Sequence, residues 1–296
     1  MSRTLRVGAR GSRLSLWQVH HAIEALQRRG VAADLVVLSS SGDRDRHAAI
    51  EDLPSAAPFA DDLEDALNAG AIDVAVHSLK DLALAPPAAL VVSALLPRGP
   101  VTESLVSRDH IPFAHLQPGS VIGTCSPRRQ AQVLLRRPDL MCRPMRGPVD
   151  GRVEQVRSGE FAAAILATAA LERLNLPDAI TETFSAGDFV PAAGQGALAL
   201  QVREADAEAR ALTASLDHFA TRLATTAELA AQRHLESAGQ LAAASAFAQR
   251  AFITLRVRVL SRDGSGAVDV MASGTDPNRV ALEASNRAFE RWAVAR

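Results

Sequence analysis

Ile72-Asp73-Val74-Ala75-Val76-His77-Ser78-Leu79-Lys80-Asp81 reads as a buried strand that ends in a cluster of polar and charged residues. Apart from Asp73 its first five residues are apolar, and near-continuous apolar runs of this kind belong to sheets covered by helices on both faces. A helical pattern over residues 63–69 leads into it. Helix, buried strand and then functional side chains at the carboxyl end of the strand is the order in which α/β proteins place ligand groups. Lys80 is the sole lysine among 32 basic residues, so a lysine at this place is informative. An ammonium is a compact point charge, whereas guanidinium is a planar fork.

Working outward, residues 5–9 are a strand candidate. Ser12 then caps an apolar-periodic helix carrying Leu16, Val19, Ile23 and Leu26. Residues 33–38 are apolar and β-branched. After Pro97 the α/β pattern restarts, with strands near 105–106, 121–123, 140–143 and 161–167 and helices over 127–135 and 149–158. A strand over 197–203 is expected to rejoin the first domain. From about Asp217 the chain turns Ala-rich and helical. Residues 252–260 and 268–271 then alternate like a hairpin with Arg262-Asp263-Gly264 as its turn, and a last helix covers 278–294. The expected fold class is α/β. Residues 1–96 with 197–216 form a first domain, 97–196 a second and 217–296 a small α+β third.

At 296 residues the chain exceeds what one core usually organises, and 48% apolar residues with a formal net charge of −1 describe an ordinary globular protein. No nucleic-acid partner is indicated. The start has no apolar run of the kind a secretory signal needs, so a cytoplasmic location is expected. Residues 162–171, the longest apolar stretch, are about half of the roughly 20 needed for a membrane span. Cys125 and Cys142 are too few for a disulfide scaffold or a metal cage, and no metal is expected.

Gly123-Thr124-Cys125-Ser126-Pro127-Arg128-Arg129-Gln130 is the densest site signal: small polar residues close a strand and a helix opens at a proline. Amides at a helix N-terminus bind anions, and adjacent arginines clamp carboxylates. Taken alone, the stretch reads equally as a solvated helix start. Arg146 and Arg152 bracket the turn Gly147-Pro148-Val149-Asp150-Gly151, and Arg10 with Ser12 and Ser15 marks another strand-helix junction. Each alone is also a surface turn. Asp81 beside Lys80 suits a general acid or a stabiliser of developing cationic charge, with an exposed ion pair as the alternative. His77 reads as a packed or hydrogen-bonded histidine rather than a catalyst. Phe189-Val190-Pro191-Ala192-Ala193-Gly194-Gln195-Gly196 is a glycine-rich bend that fits neither a P-loop nor a dinucleotide fingerprint.

Together these segments resemble the porphobilinogen deaminase (hydroxymethylbilane synthase) family. The resemblance runs from Arg6-Val7-Gly8-Ala9-Arg10-Gly11-Ser12 with Leu16-Trp17-Gln18 through His77 to Asp81, Gly123 to Gln130, Arg146 to Arg152 and Pro191 to Gly196, and on to the last helix. It implies two domains like those of periplasmic binding proteins around a cleft, and a small third domain whose cysteine loop carries a dipyrromethane cofactor. It further implies that Asp81 handles protons and stabilises the cationic azafulvene left when ammonia departs. Arg10, Arg128, Arg129, Arg146 and Arg152 would bind pyrrole acetates and propionates. Ser12, Lys80, Thr124, Cys125, Ser126 and Gln195 would complete the substrate contacts.

Three departures qualify the resemblance. The family's cofactor loop reads roughly Leu-Glu-Gly-Gly-Cys-Gln, whereas this chain has Leu235-Glu236-Ser237-Ala238-Gly239-Gln240, with no thiol at Gly239. The family's basic cleft loop corresponds to Ser55-Ala56-Ala57-Pro58-Phe59-Ala60-Asp61-Asp62, in which two lysines have become Ala56 and Asp61. Pro148 also replaces an asparagine and removes a backbone donor. The expectation from the sequence is therefore a monomeric enzyme that deaminates porphobilinogen or a related acidic monopyrrole, with no bound cofactor and with the azafulvene captured by water or another small nucleophile. Two alternatives stay open: hydroxymethylbilane synthesis with a displaced anchor such as Cys125, and a non-catalytic pyrrole-binding or regulatory protein.

Overall fold

A computed structural model describes residues 3–38, 60–84 and 87–295. The chain divides into two compact units, Met1–Gly99 with Gly196–Arg222, and Pro100–Gln195 with Leu223–Arg296.

In the first unit, β1 (Leu5–Arg10), α1 (Arg13–Arg28), β2 (Ala33–Leu38), α2 (Asp61–Asn68), β3 (Val74–Ser78) and β4 (Leu90–Leu95) are followed, after a long excursion, by β10 (Leu198–Arg203) and α6 (Ala207–Ala214). The sheet order is β2-β1-β3-β10-β4. β1 runs parallel to β2 and β3, and β10 lies antiparallel between β3 and β4. The apolar stripe of α1 (Val19, Ala22, Ile23, Leu26) packs with Leu5, Val7, Val74 and Val76 in one core. The helix starts where it does because Ser12 adopts an extended backbone and its hydroxyl accepts from the Ser15 amide.

At the amino end of β3 the buried Asp73 carboxylate gathers Arg3, Arg6 and Arg203. Burial alone would raise its pKa, but hydrogen bonds from Arg6 and Arg203 and the charge of Arg3 outweigh this and hold it well below the ordinary 3.8. Asp73→Asn removes the carboxylate that the three guanidinium groups share, although Arg3 and Arg203 keep Asp206 as a partner. It should cost roughly 3 kcal/mol at pH 7, the low end for a broken buried pair, because Arg3 and Arg6 keep part of their hydration. Because the folded value is depressed, this contribution is present above the ordinary 3.8 and is lost as pH falls through the folded value. Urea unfolding should therefore show the variant's deficit shrinking in strong acid. A pH-independent deficit would refute the electrostatic account.

In the second unit, β5 (Glu103–Ser107), β6 (Val121–Gly123), α3 (Pro127–Arg136), β7 (Met141–Arg143), α4 (Val149–Arg157), β8 (Ala163–Ala167), α5 (Thr168–Arg173) and β9 (Glu182–Phe184) form a sheet of order β7-β6-β8-β5-β9 with its helices. In its core Phe184 stacks on Phe189 and meets Phe113 edge to face, with centroids 5.1 and 5.5 Å apart. Helix α7 (Phe219–Ser237) leads into β11 (Leu241–Gln249), β12 (Phe252–Leu260), β13 (Ala267–Gly274) and α8 (Pro277–Val294). The three strands form an antiparallel sheet in sequence order, with β12–β13 as the expected hairpin. Arg258 ties this sheet to the larger one through the Asp188 and Gly187 carbonyls (2.8 and 3.0 Å) and the Gln132 side chain (3.2 Å).

β11 departs from the expected helix. Its alanines favour a helix intrinsically, but Ala244, Ala246 and Ala248 are buried while Ser245, Phe247 and Gln249 are not. A period of two buried against β12 overrides a propensity of a few tenths of a kcal/mol per residue.

Candidate functional site

In each of the two larger sheets the expected site residues sit at the carboxyl ends of parallel strands. In the first unit, Arg10 closes β1 and donates its amide to the Ser15 hydroxyl at 2.9 Å. β3 ends at Ser78, whose hydroxyl accepts from Gln18 at 2.9 Å. Lys80 and Asp81 follow on a single 3-10 turn, Leu79–Asp81, both half-buried. The Leu79 amide donates to the Ala197 carbonyl at 3.0 Å, so the end of the glycine-rich bend borders this turn. The Ser12 hydroxyl, expected to meet substrate, is engaged as the cap of α1.

His77 is packed, as expected from the sequence, with Nε2 buried and without a hydrogen-bond partner. Burial, and then the nearby charge of Arg10, push its pKa down to about 4 from 6.5; the Gln201 side chain opposes this weakly. Between these values the unfolded chain binds the proton that the folded chain refuses. Stability therefore falls as pH drops from 6.5 towards 4, by about 3 kcal/mol in all. His77→Leu should flatten that slope in urea titrations, and equal slopes in variant and native chain would rule it out.

In the second unit, β6 ends at Gly123. A Cβ there would lie 2.3 Å from the Met145 methyl, so any larger residue would have to displace the buried Met145 side chain. Thr124 is buried; its amide donates to the Arg143 carbonyl at 2.9 Å and its hydroxyl accepts from the Ser126 amide at 3.1 Å. The Cys125 thiol is half-buried and donates to the Met145 carbonyl at 3.1 Å. Ser126 caps α3 and Pro127 takes its first turn. After β7, Gly147 turns with φ +108° and Pro148 precedes α4. The Arg146 carbonyl is held by Gln155 at 2.9 Å, and Arg152 Nε donates to the Gly147 carbonyl at 2.8 Å. Both guanidinium groups are thus carried on one braced turn.

Arg128 and Arg129 differ from expectation. The sequence points to a clamp for a ligand carboxylate, whereas both side chains are buried on the carboxylate of Glu103, itself fully buried. Burial lowers the pKa of Arg128 from its ordinary value; Glu103 opposes this and the charge of Arg129 reinforces it. Gln195 likewise spends its amide on the Val101 and Thr102 carbonyls (2.8 and 3.2 Å), just before Glu103. Glu228 of α7 is a second carboxylate the sequence reading missed. It is buried and accepts from the amides of Gly194 at 2.7 Å and Ala246 at 2.6 Å, so it ties the glycine-rich bend to β11. Glu103 precedes a short apolar run and Glu228 stands alone among alanines, and each was a readable hint of burial.

Gly239 is exposed with φ +74° and terminates α7: its amide donates to the Glu236 carbonyl at 2.8 Å, and that of Gln240 to the Leu235 carbonyl at 3.0 Å. This is the left-handed helix end that glycine adopts at little cost. Of the expected cleft-loop segment, Ser55 to Phe59 lie outside the described residues. Asp61 and Asp62 stand in the first turn of α2, where carboxylates favour the helix dipole. No helix among the described residues is long and apolar enough to cross a membrane.

This is an α/β protein whose first unit carries Arg10, Lys80 and Asp81, and whose second carries arginines, at the carboxyl ends of parallel strands. Residues 5–211 match the family model described as porphobilinogen deaminase, dipyromethane cofactor binding domain. The chain is 41% identical over 268 residues to the porphobilinogen deaminase of Thermobifida fusca, covering 89% of this chain and 83% of that one. It is 37% identical over 284 residues to that of Ralstonia nicotianae, covering 95% and 85%. Among solved structures, the methionine-binding protein MetQ is similar with a TM-score of 0.45 at 13% identity, covering 72% of this chain and 89% of that one, a likeness too loose to inform function. The chain belongs to the porphobilinogen deaminase family of enzymes.

The expectation of no cofactor is corrected by this match. The matched region is the family's dipyrromethane-binding domain, so dipyrromethane is the cofactor expected here. Position 239 itself does not fit a thioether: it has no side chain, and its neighbours Ala238 and Gln240 carry no sulfur.

Proposed function

We propose that this chain deaminates porphobilinogen or a closely related acidic monopyrrole. The amino group of the aminomethyl side chain leaves as ammonia while the pyrrole nitrogen supplies the electron pair and the methylene carbon stays on the ring, and the Asp81 carboxylate stabilises the azafulvene cation that results. Water, or another small nucleophile, then adds to the exocyclic carbon and gives up its proton, so that the amine is exchanged for a hydroxyl. Arg10 holds a carboxylate of the pyrrole, with Lys80 beside Asp81, and in the second unit Arg146 and Arg152 offer guanidinium groups suited to the same kind of carboxylate. The observation that carries this reading is the position of Asp81, on a single 3-10 turn at the carboxyl end of β3 and at the same sheet end as Arg10.

Incubation with porphobilinogen, with ammonia, product mass and intact protein mass followed together, tests it. Ammonia with a hydroxymethyl monopyrrole is expected, and binding without ammonia release would sink the reading. A second reading, tetrapyrrole assembly on a dipyrromethane anchored at Cys125, is supported by the match to the cofactor-binding domain and by a half-buried thiol beside Thr124. A covalent pyrrole adduct that disappears in Cys125→Ser would favour it. Cys142 is a poorer anchor, because burial pushes its thiol up to about 11.

A further inference from the structure

Glu103 opens β5, whose register pairs it with Ala167 of β8 and Phe184 of β9, and this sets its carboxylate at the sheet end where α3 begins. Arg129 forks onto it, with Nε 3.0 Å from Oε1 and Nη2 2.6 Å from Oε2, while Arg128 Nη2 lies 2.6 Å from Oε1. Arg128 Nη1 donates to the Val190 carbonyl at 2.7 Å, and Gln132 holds the amide and carbonyl of the same residue at 2.8 and 3.0 Å. Arg129 Nη1, by contrast, makes no hydrogen bond to the described residues.

Two neighbouring guanidinium groups repel, and burial magnifies the repulsion. One carboxylate compensates one of the two charges, and the fork fixes the plane of Arg129. We propose that Glu103 is a positioning residue that determines specificity. Locked onto it, the arginine pair no longer acts as a double clamp, and instead presents the Nη1 edge of Arg129 to a single ligand carboxylate. The inference rests on the reading of the site as a pyrrole-carboxylate site, and refines which edge of it binds.

The test uses Glu103→Gln and Glu103→Asp in the full chain. With its internal carboxylate removed, the Glu103→Gln pair should recruit one from solution, so acetate should raise the variant's melting temperature by more than it raises that of the native chain. Porphobilinogen binding by calorimetry should weaken about tenfold or more, with acetate competing. Glu103→Asp keeps the charge on a shorter arm, so it should abolish the acetate response while porphobilinogen binding stays weakened. A Glu103→Gln chain that melts lower but ignores acetate and binds porphobilinogen normally would show a purely structural residue and overturn the proposal. If Glu103→Gln does not fold, Glu103→Asp decides alone, and unchanged porphobilinogen affinity overturns the proposal. The acetate response needs no pyrrole, so a native chain that never binds porphobilinogen, beside a variant stabilised by acetate, refutes the proposed function and leaves standing that Glu103 occupies the carboxylate seat of the arginine pair.

Discussion

Asp81→Asn should release ammonia from porphobilinogen roughly 10²–10⁴-fold more slowly than the native chain, the span that a positioned carboxylate contributes to such steps. The amide has almost the same shape and carries no charge, so what is lost is the compensation of the azafulvene cation, which exists only near the transition state. Binding of the uncharged pyrrole ring and its carboxylates, which falls to the arginines, should be little changed by calorimetry. The fold should be unaffected too, because Asp81 is half-buried on a single 3-10 turn whose amide and carbonyl bonds do not use its side chain. Asp81→Glu, with its charge displaced by one methylene, should recover part of the rate. An Asp81→Ala chain that keeps every measurable activity would point instead to a binding or regulatory protein.

The strand-to-site junctions were legible because their signals are local. Gly123 through Arg129 combine a strand end, the Ser126 cap and Pro127 at the first helical position, and the structure builds all three. The partner of the arginines was not legible, because Glu103 lies about 25 residues upstream and meets them only through the antiparallel pairing of β5 with β8. β11 was misread for a related reason. Its alanines were weighed as intrinsic helix formers, while the Ala-Ser-Ala-Phe-Ala-Gln alternation over residues 244–249 carried the tertiary information. His77 was read correctly from its apolar surroundings, since a polar side chain inside a continuous buried strand has few routes to solvent. Motif positions thus fix which groups are present, and sheet register decides which of them are already occupied.

Gly239→Cys should convert the chain from one with no thiol at this position to one that carries a covalent pyrrole after exposure to porphobilinogen. Two physical terms set the cost. The left-handed backbone, φ +74°, penalises any side chain by about 1 kcal/mol, equivalent to a melting temperature lower by a few degrees. The steric term is absent, because a Cβ built there meets nothing within 4 Å. The variant should therefore fold. The chemistry balances without an oxidant: the thiol sulfur bonds to the exocyclic carbon of the azafulvene, ammonia leaves from that carbon, and the thiol proton goes with the departing amine. Intact mass should rise by one or more units of porphobilinogen less ammonia, and the adduct should survive denaturation, whereas Gly239→Ser, with the same backbone cost and a far poorer nucleophile, should gain nothing. A Gly239→Cys chain that releases ammonia at the native rate and stays unmodified would show that this loop does not meet the reactive carbon. The glycine at this position would then not decide whether a pyrrole becomes bound to the protein.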